Sequence, residues 1–131
     1  MNVLVVDDEA EIVEEVCGFL RRRGFSPIAA SGVDSARSIL EGSGDIDIVL
    51  TDMRMPPGSG LEVLRASASH ASRPAMLVMT GQATDEETAE ALRVGAASIL
   101  PKPLSLRGVL EALKKVEQAR VRGAVSPDPK A

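Results

Sequence analysis

The sequence predicts an α/β domain built on a parallel sheet covered by helices on both faces. Short apolar, β-branched runs alternate with stretches of helical periodicity, which is the pattern of successive right-handed strand–helix–strand crossovers. The run at residues 46–51 is almost unbroken in apolar character, as a strand buried on both sides requires. Four of the runs also end on polar, chemically useful residues. Residues 2–6 lead into Asp7 and Asp8, 46–51 into Asp52, 75–79 into Thr80, and 97–100, through Pro101, into Lys102. Ligands of open parallel sheets bind outside the carboxyl ends of the strands. If these four strands are parallel neighbours, the acids, the hydroxyl and the ammonium converge on one edge.

Taken in order, the first strand gives way after Asp8 to a helix with Val13, Val16, Cys17 and Leu20 at i, i+3, i+4 and i+7. Arg21, Arg22 and Arg23 suit the negative end of its dipole, and Gly24 ends it. Residues 26–30 read as a second, poorer strand, and 33–41 as a short helix with Val33, Ala36, Ile39 and Leu40 inward. After Asp52 and a proline–glycine turn, Ser59 and Glu62 have capping-box spacing and open a helix through about Ala68. A serine-rich loop follows, in which His70 is expected to be a surface imidazole. Thr84 and Glu87 repeat the capping-box spacing at the start of an acidic helix ending near Gly95. Its apolar stripe, Ala89 and Leu92 with Val94 nearby, is thin, so this helix should be among the less firmly docked. Leu106, Val109, Leu110, Leu113 and Val116 form the core stripe of the last helix. Residues 1–121 are expected to form one domain, with 122–131 a flexible tail or the start of a linker.

A length of 131 residues suits a single domain with a real core. Fifteen basic against nineteen acidic residues leave a net charge of −4 and no basic stripe, so direct nucleic-acid binding is not expected. No apolar segment approaches the ~20 residues of a membrane helix, and no basic region precedes the first apolar run, so a cytoplasmic location is expected. The single cysteine, Cys17, lies on the apolar helix face and reads as a small buried hydrophobe.

Three carboxylates at one edge raise one another's pKa unless a cation is present. With oxygen ligands and no His or Cys nearby, Mg²⁺ is the cation of choice, since it binds through one or two carboxylates plus a phosphate. Phosphoryl transfer needs charge neutralised on the phosphoryl oxygens and an in-line nucleophile. Lys102 and Mg²⁺ can supply the positive charge. The Thr80 hydroxyl and the backbone N–H groups after Asp52 can complete the cradle. Taken singly, Asp7 and Asp8 fit a helix cap, Asp52 and Thr80 fit turns, and Lys102 fits a solvated charge.

In their order and spacing these residues resemble the response regulator receiver domain of two-component signalling. The match is Asp7 and Asp8 in VLVVDDE, Asp52 with Met55, Pro56 and Gly60 in DMRMPPGSG, Thr80 in VMTG, and Lys102 with Pro103 in GAASILPKP. It covers roughly residues 2–120. The resemblance implies a flavodoxin-like five-stranded sheet in the order 2-1-3-4-5. It implies that Asp8, Asp52 and the Arg54 carbonyl hold Mg²⁺, with Asp7 acting largely through water. Asp52 would then accept a phosphoryl group from the phosphohistidine of a sensor kinase or histidine phosphotransfer protein and lose it slowly to water. Arg54 and Gln82 stand where the family tunes that hydrolysis. Ile12 and Pro103 stand where partners dock, Ile12 about a quarter turn off the buried stripe and so partly buried, and the Lys102–Pro103 bond is expected to be cis. A receiver dimer or a downstream effector would read the signal.

One departure stands out. Three residues before the lysine the family usually carries Tyr or Phe, and here Ile99 stands instead; Leu104 likewise replaces a frequent Phe. The aromatic half of the usual switch is therefore missing. Two rival readings stand beside a phosphoacceptor. A haloacid-dehalogenase-like phosphatase would carry a second acid two residues after its nucleophile, where Arg54 stands. A docking-only pseudo-receiver would not need Asp8, Asp52, Thr80 and Lys102 intact. No output domain follows the last helix, so a stand-alone receiver or a fragment cut in a linker is expected, and the Met before the first strand disfavours the C-terminal receiver of a hybrid kinase.

Overall fold

The computed structural model describes residues 1–125, with side chains described through residue 119. Five parallel strands, β1 (Asn2–Val6), β2 (Ser26–Ala30), β3 (Ile48–Asp52), β6 (Ala75–Thr80) and β7 (Ala96–Pro101), form one sheet in the order β2-β1-β3-β6-β7. This is the expected 2-1-3-4-5 order of the core strands. Between β3 and β6, β4 (Arg54–Met55) and β5 (Gly58–Ser59) form a small antiparallel hairpin of their own, where the sequence predicts a plain turn.

The period-2 alternation of side chains sorts each strand between the two faces of the sheet. Val3, Val5, Ile48, Leu50, Leu77 and Met79 face α1 (Ala10–Arg22) and α5 (Leu106–Val125), where they meet Val13, Val16, Leu20, Val109 and Leu113. Leu4, Val6 and Val49 face α2 (Val33–Gly42) and α3 (Gly60–Ala68), meeting Ala36, Leu40 and Val63. Met76 and Val78 share a third cluster with Leu64 of α3 and Ala91 of α4 (Asp85–Val94). Burying a Leu or Val this completely stabilises the fold by about 1.5–3 kcal/mol per side chain. Cys17 is buried, and burial pushes its thiol pKa up against the lowering effect of Arg21, which makes it inert.

Several local expectations are corrected. Ser59 caps α3 by accepting the Leu61 N–H at 3.1 Å, but no capping box forms there, because Glu62 turns toward Arg37 at 3.6 Å. On α4 the capping box of Thr84 and Glu87 is complete. The inward residue of that helix is Ala91, whereas Leu92, assigned to the stripe, is 52% exposed. A helix this poor in apolar groups has no strong period, and small Ala91 lets it sit close over Met76 and Val78. His70 is no free surface group: its Nδ1 meets Ser72 Oγ at 2.8 Å, and its Nε2 donates to the carbonyls of Leu40 at 2.9 Å and Ser43 at 2.7 Å. It fastens the loop after α3 to the end of α2. α5 runs on to Val125, into the stretch assigned to the tail, since the first helix-breaking proline comes only at 127; residues 126–131 lie outside the described residues.

Candidate functional site

Strand register brings the sequence-predicted residues to one edge. Val6 pairs with Thr51, Asp52 with Met79, and Thr80 with Pro101, so all four strands end level. Asp7 follows β1 with its N–H on the Ala30 carbonyl at 3.2 Å, and the Lys102 N–H bonds the Thr80 carbonyl at 3.0 Å. Gly60 closes the loop behind Asp52. A Cβ there would collide with the Asp52 carbonyl oxygen and lie 3.0 Å from Met53 Cα, so only glycine lets α3 start this close to the strand end.

Asp8, Glu9, Asp52, Arg54, Thr80, Gly81, Gln82 and Lys102 line one open cleft. Lys102 sits at its centre, with Nζ 2.9 Å from Asp7 Oδ2, 3.3 Å from Asp52 Oδ2 and 3.4 Å from Glu9 Oε1. The bond that follows it, to exposed Pro103, is cis, as the resemblance implies; a second cis bond, Pro56–Pro57, was not anticipated. Asp7 is buried and accepts the Glu9 N–H at 3.0 Å with its other oxygen, whereas Asp8 and Glu9 are exposed. Asp52 Oδ1 accepts the Met53 N–H at 2.8 Å. Burial, and then the charge of Asp7, push the Asp52 pKa above the ordinary carboxylate value, with Lys102 pulling the other way. For Lys102, burial acts to lower the pKa, but the hydrogen bond from Lys102 to Asp7 and the charges of Asp52 and Asp7 outweigh it and raise it. Thr80 Oγ1 accepts the Gln82 N–H at 3.3 Å, which leaves its own proton to donate.

Carboxylate oxygens of Asp7, Asp8, Glu9 and Asp52 lie within 4.8 Å of one another. Such an all-oxygen set, with the Asp52 pKa raised by burial and then by the charge of Asp7, fits a hard divalent cation of the Mg²⁺ kind. Sequence reasoning missed one participant and the reach of another. Glu9, the third acid in a row, was visible as a residue but not as a partner of Lys102. Arg54 was expected as a modulating residue, but not the partners of its guanidinium, which crosses the mouth of the cleft to the Gln82 carbonyl (Nε 3.3 Å, a terminal nitrogen 3.0 Å) and to Glu87 Oε1 at 2.7 Å. Ile12 is partly buried, as expected, against the α1/α5 core, and Ile99 packs partly buried in the cluster beneath α4. Among the described residues no helix is long and apolar enough to cross a membrane.

Comparison with known proteins gives this arrangement its family. The family model described as the response regulator receiver domain matches residues 3–114. The phosphate regulon transcriptional regulatory protein PhoB of Escherichia coli is 32% identical over 121 residues, which are 88% of this chain and 51% of the relative. The positive alginate biosynthesis regulatory protein of Pseudomonas aeruginosa is 37% identical over 139 residues, covering all of this chain and 53% of the relative. The chain thus spans about half the length of the curated relatives it matches. Among solved structures, a response regulator receiver protein from Pseudomonas putida superposes with a TM-score of 0.81 at 33% identity, covering 87% of this chain and 95% of that one. The chain belongs to the response regulator receiver domain family of two-component signalling.

Proposed function

We propose that the domain is a phosphoacceptor whose Asp52 takes a phosphoryl group from a phosphohistidine on a partner kinase or phosphotransfer protein. The observation that carries this is Lys102, whose ammonium contacts both Asp52 and buried Asp7 at the open end of the sheet. An Asp52 oxygen attacks phosphorus in line, a new P–O bond forms, and the P–N bond to the donor imidazole breaks with its electron pair returning to the ring. The raised pKa, caused first by burial and then by the charge of Asp7, makes the Asp52 carboxylate a more basic and better nucleophile. Lys102 and the Thr80 hydroxyl then face the charge on the phosphoryl oxygens. Mg²⁺, held by Asp8 and Asp52 with the Arg54 carbonyl and with Asp7 behind, would neutralise further charge on the phosphoryl group. The product is a mixed anhydride, and attack of water on its phosphorus returns the Asp52 carboxylate. Arg54 and Gln82, at the mouth of the cleft, modulate that attack. The intact cleft favours this reading over a docking-only role, and Arg54 in place of a second acid disfavours a phosphatase. A cytoplasmic location follows for a protein loaded by a kinase's phosphohistidine.

The test is incubation with acetyl phosphate and Mg²⁺ followed by intact-mass measurement. One phosphoryl group should be gained, and chelating the divalent cation should slow the gain severely. Equal labelling in chelator would defeat the metal assignment, and no labelling under any condition would leave only a docking role.

Ile12 is proposed as a docking residue, being an apolar side chain only partly buried on α1, four residues beyond Asp8. Ile12→Ala should slow transfer from a phosphohistidine protein while leaving labelling by acetyl phosphate unchanged. Parallel losses in both, with lowered stability, would make Ile12 a core residue instead.

A further inference from the structure

α4 meets the rest of the domain through a thin apolar contact and through two ion pairs. Its buried residue is Ala91 and Leu92 faces outward, while Glu87 pairs with Arg54 of β4 at 2.7 Å and Glu90 with Arg65 of α3 at 3.2 Å. Glu87 Oε1 has two donors, the Thr84 N–H at 2.9 Å, which closes the helix cap, and the Arg54 guanidinium. Arg54 also reaches the Gln82 carbonyl in the loop before α4, so this one side chain joins the loop after Asp52 to both the approach and the first turn of the helix. It lines the same cleft as Asp52, Thr80 and Lys102.

A phosphoryl group on Asp52 would bring nearly two negative charges and three acceptor oxygens into that cleft. Guanidinium groups bind phosphate oxygens in a bidentate, charge-assisted way, which a partly exposed single carboxylate and a neutral carbonyl match poorly. Extending the phosphoacceptor reading of Asp52, on which it rests, we propose that Arg54 is a phosphoryl-binding residue held in reserve by Glu87. Phosphorylation exchanges the Arg54–Glu87 pair for an Arg54–phosphoryl pair and loosens the first turns of α4. Ile99 lies packed in the apolar cluster beneath that helix and has no aromatic ring to swing, so the signal leaves the site as a change of charge partner. Glu87 keeps the Thr84 N–H, so the helix stays capped while its tie to the site is released.

Hydrogen–deuterium exchange over residues 82–91, with intact mass read on the same samples before and after acetyl phosphate and Mg²⁺, tests this. In the parent chain, exchange should rise once the phosphoryl mass appears. Glu87→Gln, which keeps a capping oxygen but drops the charge, should show raised exchange beforehand. Its phosphoryl group should persist roughly two- to fivefold longer, the scale of one partly exposed ion pair, because Arg54 is free to cover it. In Arg54→Gln, exchange should no longer respond to the phosphoryl group. Unchanged exchange in labelled parent protein, or an equal response in labelled Arg54→Gln, would overturn the proposal. Failure of the parent chain to gain phosphoryl mass would instead bring down the phosphoacceptor reading, and this extension with it.

Discussion

Asp52→Asn is expected to take up no phosphoryl group from acetyl phosphate and, at neutral pH without divalent cations, to unfold at a higher temperature than the parent chain. The first effect is complete because an amide oxygen is not a nucleophile of this kind, and among the described acids on Lys102, Asp7 does not line the cleft and Glu9 stands beyond the strand end, which leaves Asp52. Persistent stoichiometric labelling of the variant would sink the assignment. The second effect follows from the raised Asp52 pKa, which burial causes first and the Asp7 charge second. The sign is that of an acid held above its unfolded value. The fold is most favoured below the ordinary Asp pKa of 3.8 and loses stability as pH rises through the higher folded value. Asn keeps an oxygen for the Met53 N–H and removes the charge, while Lys102 retains Asp7. A gain of about 1 kcal/mol is the usual size for relieving such a site. The gap between variant and parent should open toward neutral pH and close in acid. A variant less stable than its parent at pH 7 would mean that Lys102 outweighs the burial of the charge.

The positions of Asp7, Asp8, Asp52, Thr80 and Lys102 could be read from the sequence because strand ends are local facts. An apolar run stops, a polar residue follows, and parallel neighbours put those residues on one edge. The core under α1 and α5 was equally legible, because their strong apolar stripes leave one solution. Where the apolar content was small the pattern failed, as on α4, where Ala91 rather than Leu92 turns inward. What local pattern cannot give is where a long polar side chain ends. Arg54 reaches Gln82 and Glu87, about thirty residues away, and Glu62 leaves its helix cap for Arg37. His70 misled for the same reason, since its partners Leu40 and Ser43 meet it only once α2 and α3 are side by side. The β4–β5 hairpin was missed because two-residue strands carry no period at all.

Lys102→Ala should cost about 3 kcal/mol of stability and slow phosphoryl uptake about 10²-fold or more, two effects that a second substitution can separate. The stability loss comes from Asp7, whose side chain is wholly shielded from water and whose cationic partner among the described residues is Lys102 at 2.9 Å. Removing one member of a buried pair leaves the other charge uncompensated, at ~3–5 kcal/mol, and the partial opening of Lys102 to the cleft puts the cost at the low end. The raised Lys102 pKa keeps this contribution whole below the ordinary lysine value of 10.5 and releases it only as pH rises through the higher folded one. Across the neutral range the loss should therefore be flat with pH. The rate loss has a different origin, the positive charge facing the transferring phosphoryl group, for which one lost donor costs about 10²–10³-fold. Adding Asp7→Asn to Lys102→Ala removes the orphaned buried charge, so stability should recover in part while uptake stays slow. If uptake recovers together with stability, Lys102 serves only to neutralise Asp7. If neither recovers, the loss lies in the packing of the lysine stem rather than in its charge.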